Sequence, residues 1–315
     1  MAVISNAIDP RKKFEETLVR IGDSNPAVVA VSCDSASGGG LGAFFKKYPS
    51  RSVEAGISEQ NAVGICAALA KQGFIPVVVA ITPFITMRAY EQDRDDVGYM
   101  NMNVKLVGSG GGLAYSTLGS THEALEDVAL MRTIPHMTIL TPGDSFEVEK
   151  ALEMAIAIDG PVYLRMPRQA RPFVKDPATR SLKIGEAEIL RDGKDITIFA
   201  AGPMAEEAVL AADILKEKGI DAAVVNLMTI KPLDDATVLK YCGQSKVVFS
   251  VEEHSVINGL GTAIAQLLAP LAGTPPLHIF GIDEGEKMTG PYKDVLAYYG
   301  LTGATIAVRI EKLLK

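Results

Sequence analysis

The sequence predicts an α/β protein with two doubly wound domains, each built on a mostly parallel sheet. Strand-sized and helix-sized apolar segments alternate along nearly the whole chain, the pattern by which strand–helix units build parallel sheets. The run Ile75–Ile81 is apolar on both faces, as a strand covered on both sides requires. The alternation breaks at Arg171-Pro172-Phe173-Val174-Lys175-Asp176-Pro177, and a second series begins beyond it. The expected domains are therefore residues 1–172 and a smaller 187–315, joined by a linker at 173–186.

The first series opens with a helix expected near 10–21, then a buried strand near 27–32. Gly38-Gly39-Gly40 starts a loop able to pass close to a ligand or partner. A helix is expected over 59–72, with Gly73 at the left-handed position that ends it. The strand 75–81 carries its proline at the start, where a missing N–H does least harm. A helix near 86–97, a strand near 104–107, a helix over 122–131 and a strand near 137–140 follow. Asp144-x-x-Glu147 has the spacing of a capping box. In the second series, strands are expected near 196–200, 222–227, 246–251 and 277–280. Helices are expected near 204–218, 259–268, 292–299 and 302–314.

Bulk properties exclude several classes. The 315 residues suffice for about two domains. A net charge of −7 without a long basic run disfavours nucleic acid. Cys33, Cys66 and Cys242 are widely spaced and read as buried thiols in a reducing compartment. The stretch from Met1 to Lys13 lacks the apolar core and cleavage site of a signal peptide. The longest apolar runs fall far short of a membrane span. A cytoplasmic protein is expected.

Chemistry concentrates in the first series. Glu59 stands on the first turn of its helix, where an apolar crevice would raise its pKa and let it share a proton. Phe84 lies just past the apolar strand, and Thr121-His122 follows the glycine-rich stretch 108–112. That stretch lacks the Gly-x-Gly-x-x-Gly spacing and downstream acid of a dinucleotide site. Glu252-Glu253-His254 has no second cluster to complete a metal site and reads as a loop at a strand end.

Gly56-Ile57-Ser58-Glu59-Gln60-Asn61, Thr82-Pro83-Phe84 and Gly119-Ser120-Thr121-His122 together resemble the pyrimidine-binding domain of transketolase. Val251-Glu252-Glu253-His254-Ser255 resembles its C-terminal domain. The resemblance spans nearly the whole chain but only the C-terminal half of a full-length enzyme, as in split transketolases made of two chains. It implies that Glu59 hydrogen-bonds the aminopyrimidine of thiamine diphosphate and promotes its activation by holding a proton. Phe84 would stack on that ring, with Met87 and Tyr90 completing the wall and Asp34 near the thiazolium. His122 would contact sugar hydroxyls, and Arg11 and Arg168 would hold a substrate phosphate.

Two positions depart from the family. Gly110 stands where the family has a phosphate-binding histidine, and Leu118 where an aspartate reads a sugar hydroxyl. Both point to a changed acceptor. The resemblance also implies Mg²⁺, but Gly22-Asp23-Ser24 and Gly143-Asp144-Ser145 lack the second glycine and the asparagine of the family's diphosphate motif. The metal ligands are therefore expected on a partner, the N-terminal subunit, in an α2β2 assembly active only as a whole. The expected reaction is transfer of a two-carbon ketol unit from a ketose, or ketose phosphate, to an aldose or aldose phosphate. Alternatives are a deoxyxylulose phosphate synthase-like enzyme, a 2-oxoacid dehydrogenase beta chain, or a non-catalytic regulatory subunit of the same fold.

Overall fold

The computed structural model describes residues 7–285 and 287–315. Residues 1–6, part of the stretch read above as lacking a signal peptide, lie outside them. Among the described residues twelve strands form two sheets: Val28–Ser32 (β1), Ser52–Glu54 (β2), Ile75–Ile81 (β3), Lys105–Ser109 (β4), Thr138–Leu140 (β5), Val162–Met166 (β6), Glu188–Arg191 (β7), Ile196–Ala200 (β8), Ala222–Asn226 (β9), Thr229–Lys231 (β10), Val247–Ser255 (β11) and Leu277–Ile282 (β12). The first sheet has the order β10-β5-β6-β4-β3-β1-β2, parallel except for β10 against β5. The second has the order β12-β11-β8-β9-β7, parallel except for β7 against β9. The expected doubly wound α/β class holds for both.

Strand order determines where a site can form. From β1 the chain adds β2 on one side, then returns to build β3 on the other. Such a reversal opens a crevice at the carboxyl ends of the strands. Asp34 follows β1, Glu59 follows β2, Phe84 follows β3, Gly110 follows β4 and Arg168 follows β6. Residues scattered over more than a hundred positions thus meet along one edge.

Local chemistry explains the framework. Asp9 accepts from the Arg11 N–H at 2.9 Å and Pro10 occupies the first turn, which together start helix Pro10–Ser24. The expected capping box appears in altered form. Asp144 accepts from the Glu147 N–H at 2.8 Å, but Glu147 accepts from the Gly143 N–H at 2.6 Å. Glu147 also receives Asn226 of β9, while Arg180 joins Asp144, Glu147 and Glu188 in one buried cluster. The two sheets are bolted together through it.

Three expectations need correction. The helix expected near 86–97 is instead a π-helical turn Phe84–Arg88, a short α turn Tyr90–Gln92 and a π-helical stretch Asp93–Tyr99. Thr86 Oγ1 donates to the Thr82 carbonyl at 2.8 Å, a back-bond that bends helices. His122 does not begin a helix: Ala124 is paired with Gly112 through hydrogen bonds of 2.9 and 3.1 Å, so helix Asp127–Thr133 starts later. Glu252-Glu253-His254 is no loop but the last part of β11, buried throughout.

β6, β7, β10 and helix Asp235–Gly243 were not read from the sequence. All three cysteines are free and buried. Among the described residues no helix is long and apolar enough to cross a membrane.

Candidate active site

Glu59 begins helix Glu59–Lys71 and is only 4% exposed. Ser58 does not cap this helix; its hydroxyl donates to the Ala55 carbonyl at 2.7 Å. The Glu59 carboxylate thus stands at a positive helix end and receives Arg88 Nη1 at 3.0 Å on each oxygen. The same Arg88 guanidinium lies over the Phe84 ring, 4.2 Å from its centroid. A flat nitrogenous cation therefore already sits between an aromatic face and a carboxylate. That is the environment an aminopyrimidine needs, so the residues present fit this half of thiamine diphosphate. Arg88 is itself half exposed.

From Phe84 a line of rings runs onward. His122 meets Phe84 edge-on at 5.2 Å, and Tyr115 lies 6.1 Å from His122. His122 Nδ1 is 2.8 Å from the Thr121 hydroxyl. Tyr115 in turn receives Arg168 Nη1 on its hydroxyl at 2.8 Å. Glu59, Phe84, His122 and Arg168 are thus connected through Arg88 and Tyr115, two residues the sequence reading passed over. Arginine on a turn and tyrosine in a glycine-rich loop carry no motif that singles them out.

The remaining candidates lie around this line. Arg11 is paired with Asp9 at 3.0 Å. Asp34 is exposed with a φ of 54°, and its N–H donates to Glu54 at 2.6 Å. Glu54 also accepts from the Gly56 N–H at 3.0 Å, which ties the Asp34 loop to the loop before Glu59. Met87 is half-buried on the Phe84 turn. Tyr90 shares a hydrogen bond of 2.6 Å with Thr133. Leu118 is 55% exposed and Ile57, two residues before Glu59, 76%. Among the described residues no group of three or more His, Cys, Asp or Glu is gathered as metal ligands.

Beneath the site a buried network joins the sheets. Arg165 of β6 donates to Asp127 at 2.7 and 3.1 Å and to the Glu253 carbonyl at 3.0 Å. Tyr163 donates to Asp127 at 2.6 Å. Burial alone would push the Asp127 carboxyl up, but the Arg165 guanidinium outweighs it and holds it below the usual range. Glu253 accepts from Tyr292 at 2.7 Å and from the Leu113 N–H at 2.6 Å.

His254 belongs to the same layer, and burial pushes it down to about 4. Nε2 accepts from the Ala129 N–H at 3.3 Å and Nδ1 is 2.7 Å from the Ser255 carbonyl, the pattern of a neutral ring. An unfolded histidine titrates near 6.5, so the stability His254 contributes is present above that pH and lost as pH falls toward about 4. Glu252, which burial pushes up to about 7, acts oppositely: its contribution is lost as pH rises from 4.5 through 7. His254→Gln leaves the Glu252 trend alone, so stability in urea unfolding should gain on acidification from about pH 7 to 5 relative to wild type. Superimposable pH profiles would remove His254 from this role.

Residues 6–172 match the family described as transketolase, pyrimidine binding domain, and residues 185–306 that described as transketolase, C-terminal domain. The chain is 36% identical over 306 residues to a putative transketolase C-terminal section of Methanocaldococcus jannaschii, covering 97% of this chain and 96% of that protein. It is 37% identical over 297 residues to an apulose-4-phosphate transketolase subunit of Phocaeicola vulgatus, covering 94% and 95% respectively. Among solved structures it resembles a split gene transketolase, described as an inactive β4 tetramer, with a TM-score of 0.87 and 33% identity over 98% of each chain.

Proposed function

The chain belongs to the transketolase family, and from that premise we propose that it is the C-terminal subunit of a two-chain, thiamine diphosphate-dependent transketolase. The complex would move a two-carbon ketol unit from a ketose to an aldose, in the cytoplasm. The observation that carries this is the Glu59 carboxylate and the Phe84 face holding one guanidinium between them. Thiamine diphosphate, when bound, supplies the carbon nucleophile for breaking and forming the carbon–carbon bond.

This chain's residues do the positioning. Glu59 would offer its carboxyl oxygens to the cofactor ring and hold a proton there, once Arg88 turns to solvent. Phe84 would give the ring its flat support. His122, with Nδ1 engaged by Thr121, would present Nε2 to a sugar hydroxyl. Arg168 would receive an anionic group of the substrate, for which a guanidinium is suited.

We assign the diphosphate and its Mg²⁺ to a partner chain in an α2β2 complex. Two things support this: Gly22-Asp23-Ser24 and Gly143-Asp144-Ser145 do not make the family's diphosphate motif, and Ile57 and Leu118 expose apolar surface beside the site, as a closing partner would need. The related β4 assembly without activity agrees with it. The test is to purify the chain alone and with its partner and to quantify bound thiamine diphosphate by mass spectrometry. Cofactor is expected in the complex and not in the lone chain. A lone chain that arrives loaded would refute the division of the site.

A further inference from the structure

We infer, resting on the transketolase reading above, that Tyr115 is the residue that sets acceptor specificity, favouring a short aldose that ends in a phosphate. Gly110 has a φ of +78°, and a β-carbon built on it would stand 2.3 Å from the Tyr115 ring. The Tyr115 ring thus fills the space a side chain at 110 would enter. It closes the line of rings that begins at Phe84 and passes His122. A substrate chain extending past His122 meets that ring.

The same side chain holds a cation at this closed end. Arg168 donates to the Tyr115 hydroxyl at 2.8 Å, and its guanidinium carbon lies 4.5 Å from the ring centroid. Gln169 donates to the Ala114 carbonyl at 3.2 Å, fixing the two loops against each other a second time. The neighbouring arginines are neutralised: Arg11 by Asp9, Arg165 by Asp127, Arg171 by Glu206 and Glu207. Among the described residues Arg168 has no carboxylate within ion-pair distance. A half-buried guanidinium that rests on a phenol is suited to a tetrahedral oxyanion. Tyr115 therefore shortens the channel and orients the group that reads the anion at its end. It is a positioning residue for Arg168 and a wall for the substrate.

The assembled complex, with hydroxypyruvate as donor, tests this against glyceraldehyde, glyceraldehyde 3-phosphate and ribose 5-phosphate as acceptors. Tyr115→Phe keeps the wall and loses the hydroxyl. It should raise KM for glyceraldehyde 3-phosphate about tenfold more than for glyceraldehyde, as the loss of a hydrogen bond to a charged group implies. Tyr115→Ala removes the wall and should shift the kcat/KM ratio of ribose 5-phosphate to glyceraldehyde 3-phosphate about tenfold toward the longer sugar. Bound thiamine diphosphate, measured in each variant, reports that the site is still assembled. An active complex in which neither ratio moves would overturn the role of Tyr115 alone. A cofactor-loaded wild-type complex that transfers no ketol unit to any acceptor would overturn the transketolase reading and this inference with it.

Discussion

Glu59→Ala is expected to lower turnover of the assembled complex by about a thousandfold, the order a positioned proton-transfer group contributes. The fold should persist. The hydrogen-bond partner of the Glu59 side chain is Arg88, which is 47% exposed and regains water when the carboxylate goes. Glu59→Gln separates two roles, because the amide keeps the shape and a hydrogen bond but cannot pass a proton. It should be nearly as slow as alanine while binding thiamine diphosphate more tightly than alanine does. Steady-state rates with hydroxypyruvate and calorimetric cofactor binding check both. A complex keeping more than about a tenth of the wild-type rate would take Glu59 out of the proton-transfer role. That result would also favour a non-catalytic subunit over an enzyme.

Asp127→Ala should cost about 3–5 kcal/mol of stability, the range for breaking a buried ion pair from one side. Asp127 is fully buried and receives Arg165 twice and Tyr163 once. Its removal leaves the Arg165 cation in the protein interior, with carbonyl oxygens of Ala124 and Glu253 as its remaining partners. The penalty comes chiefly from this stranded charge, because the Arg165 side chain is only 8% exposed and little water reaches it. Replacing both members with apolar residues should be much milder than replacing Asp127 alone. Urea unfolding of the single and double variants measures the difference. A single-variant loss below about 1 kcal/mol would mean that water already enters the network.

How much of this could be read from residues depended on whether the signal was local. The strand Ile75–Ile81 was legible to the residue because seven consecutive positions are apolar apart from one proline at the edge. Glu59 could be placed on its first turn because the helix has a clear start and a glycine beyond its end. β6 was missed because Arg165 interrupts an apolar run, and Asp127, which makes that arginine tolerable, is 38 residues away. β11 was cut short for the same reason: Glu252, Glu253 and His254 look like surface until their partners in helix Leu260–Leu268, Tyr292 and Ala129 are known. At the site, Arg88 and Tyr115 escaped because their importance lies in which rings and carboxylates they touch. Residue spacing does not encode such contacts.

Strand β10 comes after β9 in the chain, yet it pairs with β5 in the other sheet. Lys231 at its end donates to the carbonyls of Arg132 and Ile134 at 3.0 and 2.6 Å. The late part of the polypeptide therefore finishes the early part, as a clasp sewn on last closes a garment begun first. During synthesis the first sheet must wait with the β5 edge unpaired until residue 231 has left the ribosome, a stretch in which edge-to-edge association is the main hazard. A first half ending near residue 172 would keep that edge unpaired, and edge-to-edge association would be its lasting hazard.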